Sequence, residues 1–349
     1  MDMYQTPNIS IPTFPPMAEN EAAWDLVYAI IPPYIFTLSV VGILGNAFVL
    51  TVFLLHRAKW SVPEIYLGNL ALADLVMLSL LPFWGINILN DYDWPFGEFL
   101  CIAVSLSITI NMYTSVFLLV MISVDRYLAL VQTMKARWLR RRRYAKAVCA
   151  VSWLLGVAVC TPVLPHRKLQ YDSEYQVMSC ILDYPHDSWK VAHHILLNLV
   201  GFALPFLAIS FCSINAARAL NQRRNNTCSS DRGDRKATAL VYAVILFFFV
   251  CWGPFHLFTF LDVLCDFQVL QVTEWQEVTA IGNQFATYFA FLNSSLNPLL
   301  YVCTGQYFRR KVSAIYHRYE RSRGSDVTPQ RSVVSTLLHK TDHIKPVVL

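Results

Sequence analysis

Two sets of polar residues stand out in a chain that is otherwise strongly apolar. Asp125-Arg126-Tyr127 closes the apolar run from Ile102 to Val131, and the basic residues Arg137, Arg140, Arg141, Arg142 and Arg143 follow it. Charges inside or beside hydrocarbon are costly, so they are usually paired, buried in protein or part of a switch. A snorkelling arginine at a membrane edge is the plainer alternative. Asp74, Asn293 and Asn297 lie in other apolar runs, and Asn111 and Ser115 in the same run from Ile102 to Val131. An acid with hydroxyl and amide partners suits a hydrated sodium ion, and a buried ionisable group of this kind is a functional candidate. No nucleophile–base pair and no zinc-like spacing of cysteines occurs, so enzyme chemistry is not expected.

The elements that must position these groups are apolar helices. The chain has 349 residues, 55% of them hydrophobic and 15% charged. A soluble domain carries about 25% charged residues, so this chain is short of solvated surface. Its apolar runs are continuous rather than alternating, which selects membrane helices over barrel strands. We expect an all-α membrane protein with seven spans near 27–55, 63–90, 99–131, 145–165, 190–220, 237–264 and 276–303. An N-terminal tail (1–26) precedes this bundle (27–303); an amphipathic eighth helix (304–320) and a polar, disordered tail (321–349) follow it. The polar, acidic stretch from Met1 to Glu21 is unlike a signal peptide, so the first span is expected to direct insertion. Prolines interrupt several spans, which bundled membrane helices tolerate. No internal repeat is seen, which disfavours an inverted-repeat transporter.

Lysine and arginine set the orientation. They are absent from Met1 to His56 and from the second and sixth loops, and they crowd the third loop, the fifth loop and the segment after the seventh span. The positive-inside rule then puts the N-terminus outside and the C-terminus inside. Asn8-Ile9-Ser10 becomes a glycosylation acceptor in that orientation. Cys101 and Cys180 share the oxidising side, where a disulfide between them is the natural reading. The outer side is acidic, with Asp91, Asp93, Asp183, Asp262, Asp266 and Glu277 opposed by Arg167, Lys168 and Lys190. A cleft of one sign concentrates a ligand of the other; a solvated loop face is the rival explanation.

These segments resemble the rhodopsin-like (class A) G-protein-coupled receptors. The resemblance rests on Gly45-Asn46, Leu70-Ala71-Leu72-Ala73-Asp74, Cys101, Asp125-Arg126-Tyr127, Trp153, Pro205, Cys251-Trp252-Gly253-Pro254 and Asn297-Pro298-Leu299-Leu300-Tyr301, each in its own span. A finer resemblance is to the bradykinin (kinin) receptors. It rests on Glu64-Ile65-Tyr66-Leu67-Gly68-Asn69, Leu81-Pro82-Phe83-Trp84, Asp93-Trp94-Pro95-Phe96-Gly97, Leu196-Leu197-Asn198, Thr259-Phe260-Leu261-Asp262 and Asn293-Ser294-Ser295.

The resemblance implies a plasma-membrane receptor for a cationic kinin, coupled to a heterotrimeric G protein of the q/11 class and so to calcium release. Receptor kinases and arrestin would act on the tail, membrane lipids would surround the bundle, and no nucleic acid is involved. Asp262, at the outer end of the sixth span, is the leading ligand contact through charge-assisted hydrogen bonds. The family's second acid falls here at Ala280, and Glu277, about one turn earlier, stands in for it. Arg167 is placed to hold the peptide's C-terminal carboxylate, with a structural role in the second outer loop as the alternative. Thr109 replaces the lysine of the des-Arg-preferring subtype; a small neutral residue there implies acceptance of the intact peptide. Trp84, Asn111, Tyr113, Trp252, Phe255, Gln284 and Tyr288 are expected at the pocket or its floor, with helix packing as the rival role for each aromatic. Trp252 beside Pro254 resembles the family's rotamer switch. Asp74, Asn111, Ser115, Asn293 and Asn297 become an allosteric sodium site. Asp125, Arg126, Tyr127, Pro298 and Tyr301 become the G-protein switch, with Ser213 departing from the tyrosine usual in the fifth span. A receptor for another cationic peptide, such as an angiotensin-like one, is the second reading, and a transporter or channel the third.

Overall fold

The computed structural model describes residues 21–56, 59–132, 140–173, 175–226, 232–304, 308, 311–317 and 320; for 21–23, 223–226, 232–245, 272–274, 276 and 300–304 it describes the backbone alone. Asn8, the tail after residue 320 and the side chain of Tyr301 therefore lie outside the described residues.

The chain runs α1 (Glu21–Leu55), α2 (Val62–Leu89), α3 (Gly97–Leu130), α4 (Arg142–Cys160), β1 (Arg167–Asp172), β2 (Val177–Leu182), α5 (Asp187–Asn198), α6 (Leu204–Asn226), α7 (Arg232–Asp266), α8 (Val272–Ala290) and α9 (Leu292–Thr304). One π turn, Leu199–Ala203, carries α5 into α6. Phe291 alone parts α8 from α9. The helices thus form seven rods, and their ends lie within six residues of the expected spans. Among the described residues, six helices are long and apolar enough to cross a bilayer; the seventh rod is divided into pieces of 19 and 13 residues.

Burial follows lipid logic rather than water logic. Leu44, Leu54, Leu154 and Leu207 point outward, whereas Asn46, Asp74, Asn111, Ser115 and Asn297 are buried. In hydrocarbon an outward leucine costs nothing, and every polar group must find its partner inside the bundle. The prolines show how. Pro298 has no N–H for the carbonyl of Ser294, one turn back. Asn46 of α1 supplies the missing donor, its Nδ2 lying 3.0 Å from that oxygen. Ser295 Oγ donates to the Leu38 carbonyl at 3.0 Å, a second tie between the first and seventh rods. Ahead of Pro205, the π turn takes up the break in the ladder.

An antiparallel hairpin covers the outer end, with Arg167 opposite Leu182, Leu169 opposite Cys180 and Asp172 opposite Val177. No reading of the sequence anticipated these strands. The expected disulfide forms, joining Cys180 of β2 to Cys101 of α3. Beneath the hairpin, Trp94 is buried against Trp84 and Phe96, at ring separations of 5.9 and 5.3 Å. Its indole donates to the Gly97 carbonyl at 2.9 Å, and Gly97 holds φ +75°, a conformation glycine adopts without strain. Trp94 N donates to Met178 O at 2.7 Å, and Met178 N donates to Asp93 Oδ1 at 2.9 Å. The outer loop and the hairpin are therefore one fixed lip.

On the inner side, Phe308 packs edge-on against Phe48 and Phe53, with centroids 6.0 and 5.8 Å away. Lys311 is buried and paired with Glu64 of α2, whose Oε2 also accepts the Ser61 N–H at 2.7 Å and so caps that helix. Phe308 and Lys311 thus face the protein, while Tyr316 stays exposed.

Candidate functional site

Three polar groupings lie along the bundle from its outer to its inner end. The outermost joins the fifth and sixth rods. Lys190 on α5 places Nζ 3.1 Å from Asp262 Oδ2 and 3.0 Å from Asp266 Oδ1, both on α7. His194, one turn along α5, has Nδ1 3.2 Å from the same Asp262 oxygen. Asp262, the leading ligand contact, is therefore paired within the protein by Lys190 and His194. Other outer acids are also engaged: Asp183 pairs with Lys168 at 2.7 Å in the exposed hairpin, and Asp93 holds the Met178 amide. The solvated-face explanation fits the first of these, since an exposed pair contributes little. Glu277 on α8 differs again: its Oε1 is buried with no hydrogen-bond partner among the described residues.

Arg167, at the first position of β1, is half-buried. Withdrawal from water pulls its guanidinium down to about 10, against the opposing influence of Tyr184, so it remains charged at neutral pH. Thr109 is half-buried on α3 and spends its hydroxyl on the Ser105 carbonyl, 3.0 Å away, leaving a small uncharged surface.

Below this mouth lie the aromatics. Trp84 Nε1 donates to Tyr288 Oη at 2.8 Å, so these two expected pocket residues form one unit bridging α2 and α8. Trp252 is buried, with Phe255 and His256 at ring separations of 6.3 and 6.1 Å, and its indole N–H has no partner among the described residues. Tyr113 is fully buried in the main hydrophobic cluster, and its hydroxyl is likewise unpartnered. Gln284 is buried on α8. His256, which the sequence reading passed over, ties the fifth and sixth rods: Nδ1 lies 3.2 Å from Asn198 Oδ1, and the ring stacks on Phe202 at 4.8 Å. Gly201 makes room for it, since a Cβ there would lie 3.2 Å from the imidazole.

The middle grouping centres on fully buried Asp74. Asn111 Nδ2 and Asn297 Nδ2 each donate to its carboxylate at 2.9 Å, to Oδ1 and Oδ2 respectively, and Ser115 Oγ lies 3.4 Å from Oδ1. Ser294, absent from the expected set, donates to Asn111 Oδ1 at 3.3 Å. Asn111, also expected at the pocket or its floor, is thus tied into this node. Asn293 is buried but not bonded to Asp74; both its side-chain polar atoms lack partners among the described residues, as does Asn297 Oδ1. A carboxylate, a hydroxyl and amide oxygens left over are hard donors of the kind a small hard cation takes.

At the inner end, Asp125 pairs with Arg140, not with its neighbour Arg126. Arg140 Nε lies 2.7 Å from Oδ1, and the same guanidinium donates to Oδ2 at 3.2 Å. Arg126 is exposed. Tyr127 Oη accepts from Gln132 Nε2 at 3.0 Å. Pro298 packs against Gly45, where a Cβ would lie 3.1 Å from the ring.

A family model described as 7 transmembrane receptor (rhodopsin family) matches residues 45–301. The B1 bradykinin receptor of Homo sapiens is 42% identical over 296 residues, 84% of each chain. The B2 bradykinin receptor of Cavia porcellus is 42% identical over 311 residues, 88% of this chain and 83% of the relative. That of Oryctolagus cuniculus is 43% identical over 286 residues, 81% and 78% of the two. Identity to the B1 and B2 relatives is thus almost equal.

Proposed function

This chain belongs to the rhodopsin family of seven-transmembrane receptors and to its bradykinin-receptor group, not to any class of enzyme, and from that premise we propose that it binds an intact, cationic kinin at its outer mouth and signals through a q/11-class G protein to calcium release. The observation that carries the ligand reading is the charge of the mouth. Asp262 and Asp266 face one ammonium and the His194 imidazole, so with that ring unprotonated one carboxylate charge is in surplus where a ligand's guanidinium would arrive. Glu277, with a carboxylate oxygen lacking a partner, is the second acid of this recognition. Arg167, charged and half-buried, takes the peptide's C-terminal carboxylate. Thr109 offers no cation to repel a C-terminal arginine, which favours the intact peptide over its des-Arg form.

The peptide body rests on Trp84–Tyr288 and on the floor made by Tyr113, Trp252, Phe255 and Gln284. Pressure on Trp252 shifts the sixth rod about Pro254, and the inner face around Asp125, Arg126, Tyr127 and Tyr301 receives the G protein. A ligand shifts such a two-state bundle only by its differential affinity for the two states. Asp74, Ser115, Asn111, Asn293 and Asn297 supply the oxygens for a sodium ion, which would stabilise the resting packing by offsetting the buried carboxylate. The N-terminus, with Asn8 glycosylated, lies outside the cell, and receptor kinases and arrestin act on the tail serines and threonines.

Calcium release in cells expressing this chain, challenged with intact and with des-Arg kinin, tests the reading. Intact kinin is expected to be the stronger agonist. Silence to both overturns the ligand; a stronger des-Arg response overturns the role of Thr109.

A further inference from the structure

Lys190 raises a question that the kinin reading, on which this step rests, does not answer. Its side chain is 9% exposed, and an ammonium so buried is costly to leave without a counter-charge. If a ligand's guanidinium takes Asp262, Lys190 needs another acid. Asp266 stands one helical turn beyond Asp262 on the same face of α7, already 3.0 Å from Nζ. Both contacts to Asp262 fall on Oδ2; Oδ1 has none among the described residues, and the side chain is 22% exposed. Asp262 can therefore be approached from outside while Lys190 stays paired.

We propose that Asp266 is a holding partner for Lys190: it keeps the ammonium paired while Asp262 changes from an internal to an external cation. Lys190 is then a resident competitor for the ligand's guanidinium, and Asp266 a positioning residue that never touches the ligand. Two carboxylates against one ammonium, with the His194 imidazole beside them unprotonated, leave a charge of −1, enough for one added cation. A single aspartate would be neutralised by Lys190 and would offer the ligand nothing.

Kinin binding to four forms of the full-length receptor, normalised to surface level, tests this: wild type, Asp266→Asn, Lys190→Met and the double variant. Asp266→Asn is expected to weaken binding about tenfold, because Lys190 must then leave its last acid. Lys190→Met in that background is expected to restore affinity to within about threefold of wild type, a coupling that independent sites would not show. A kinin with N-acetylcitrulline in place of its N-terminal arginine has neither guanidinium nor α-ammonium charge there, and Asp266→Asn should leave its affinity unchanged. Equal weakness of the single Asp266→Asn and double variants, or equal loss of the citrulline peptide, overturns the proposal. No kinin binding by the wild-type chain sinks the receptor reading and this step together; binding with additive effects sinks this step alone.

Discussion

Asp125 is held by Arg140, fifteen residues further along the chain, through two hydrogen bonds at 2.7 and 3.2 Å. The fork of the guanidinium meets both carboxylate oxygens, a geometry stronger than a single exposed pair. It fastens the inner end of α3 to the entry of α4 and leaves Arg126 exposed. Arg140→Ala should free Asp125 and loosen the resting state. Ligand-free inositol phosphate accumulation is expected to rise roughly 2- to 5-fold, since about 1 kcal/mol changes a two-state ratio by that factor. An unchanged basal level would show that this pair does not restrain the switch.

Asn46 answers for a defect that Pro298 creates. Its amide donates to both Gly42 O and Ser294 O, at 2.9 and 3.0 Å. Asn46→Ala strands the Ser294 carbonyl in the bundle interior, and an unsatisfied buried group costs about 1–3 kcal/mol. The purified receptor should melt several degrees lower in detergent. Asn46→Asp, which keeps the size but supplies no donor in its ionised form, should not recover the loss.

Glu64 and Lys311 form a pair that is buried on both sides. Removing one member of such a pair costs about 3–5 kcal/mol, because the other charge stays behind, whereas replacing both is often neutral. Lys311→Met should lower thermal stability more than the Glu64→Gln, Lys311→Met double variant does. Equal melting temperatures for the two would mean that Glu64 finds water or another partner when Lys311 is gone.

Asp74 is the one carboxylate of the middle polar grouping among the described residues, and it already receives two amide donors at 2.9 Å. Agonist affinity measured in sodium chloride and in choline chloride should differ for the wild-type chain, with sodium lowering it. Asp74→Asn should abolish that difference. A sodium effect that survives the substitution would place the ion elsewhere.

How much of this was legible beforehand differs by level. The seven rods and the Cys101–Cys180 bond were readable because each is dictated locally: continuous apolar runs, and two cysteines on the side poor in lysine and arginine. The acids, amides and aromatics of the candidate site were identified by type and by the motifs around them. Their partners were not. Lys190 and Asp262 are 72 positions apart, and Asn46 and Ser294 248 apart; no periodicity reports which rods stand side by side. The hairpin over the mouth also escaped, because its strands are short and mixed in character, and the disulfide and the Trp94 lip hold them as much as their own propensity does.

The amino-acid sequence by itself determined the seven apolar spans and the sorting of acidic and basic loops to opposite ends of them, since transfer to hydrocarbon is a property of each segment alone. Only the tertiary structure decided which group answers which: that Lys190 sits between Asp262 and Asp266, that Arg140 rather than Arg126 holds Asp125, and that the Asn293 amide is buried without a partner among the described residues. Pairing energies depend on distances of about 3 Å between groups far apart in the chain, and only the packing of the rods sets those distances.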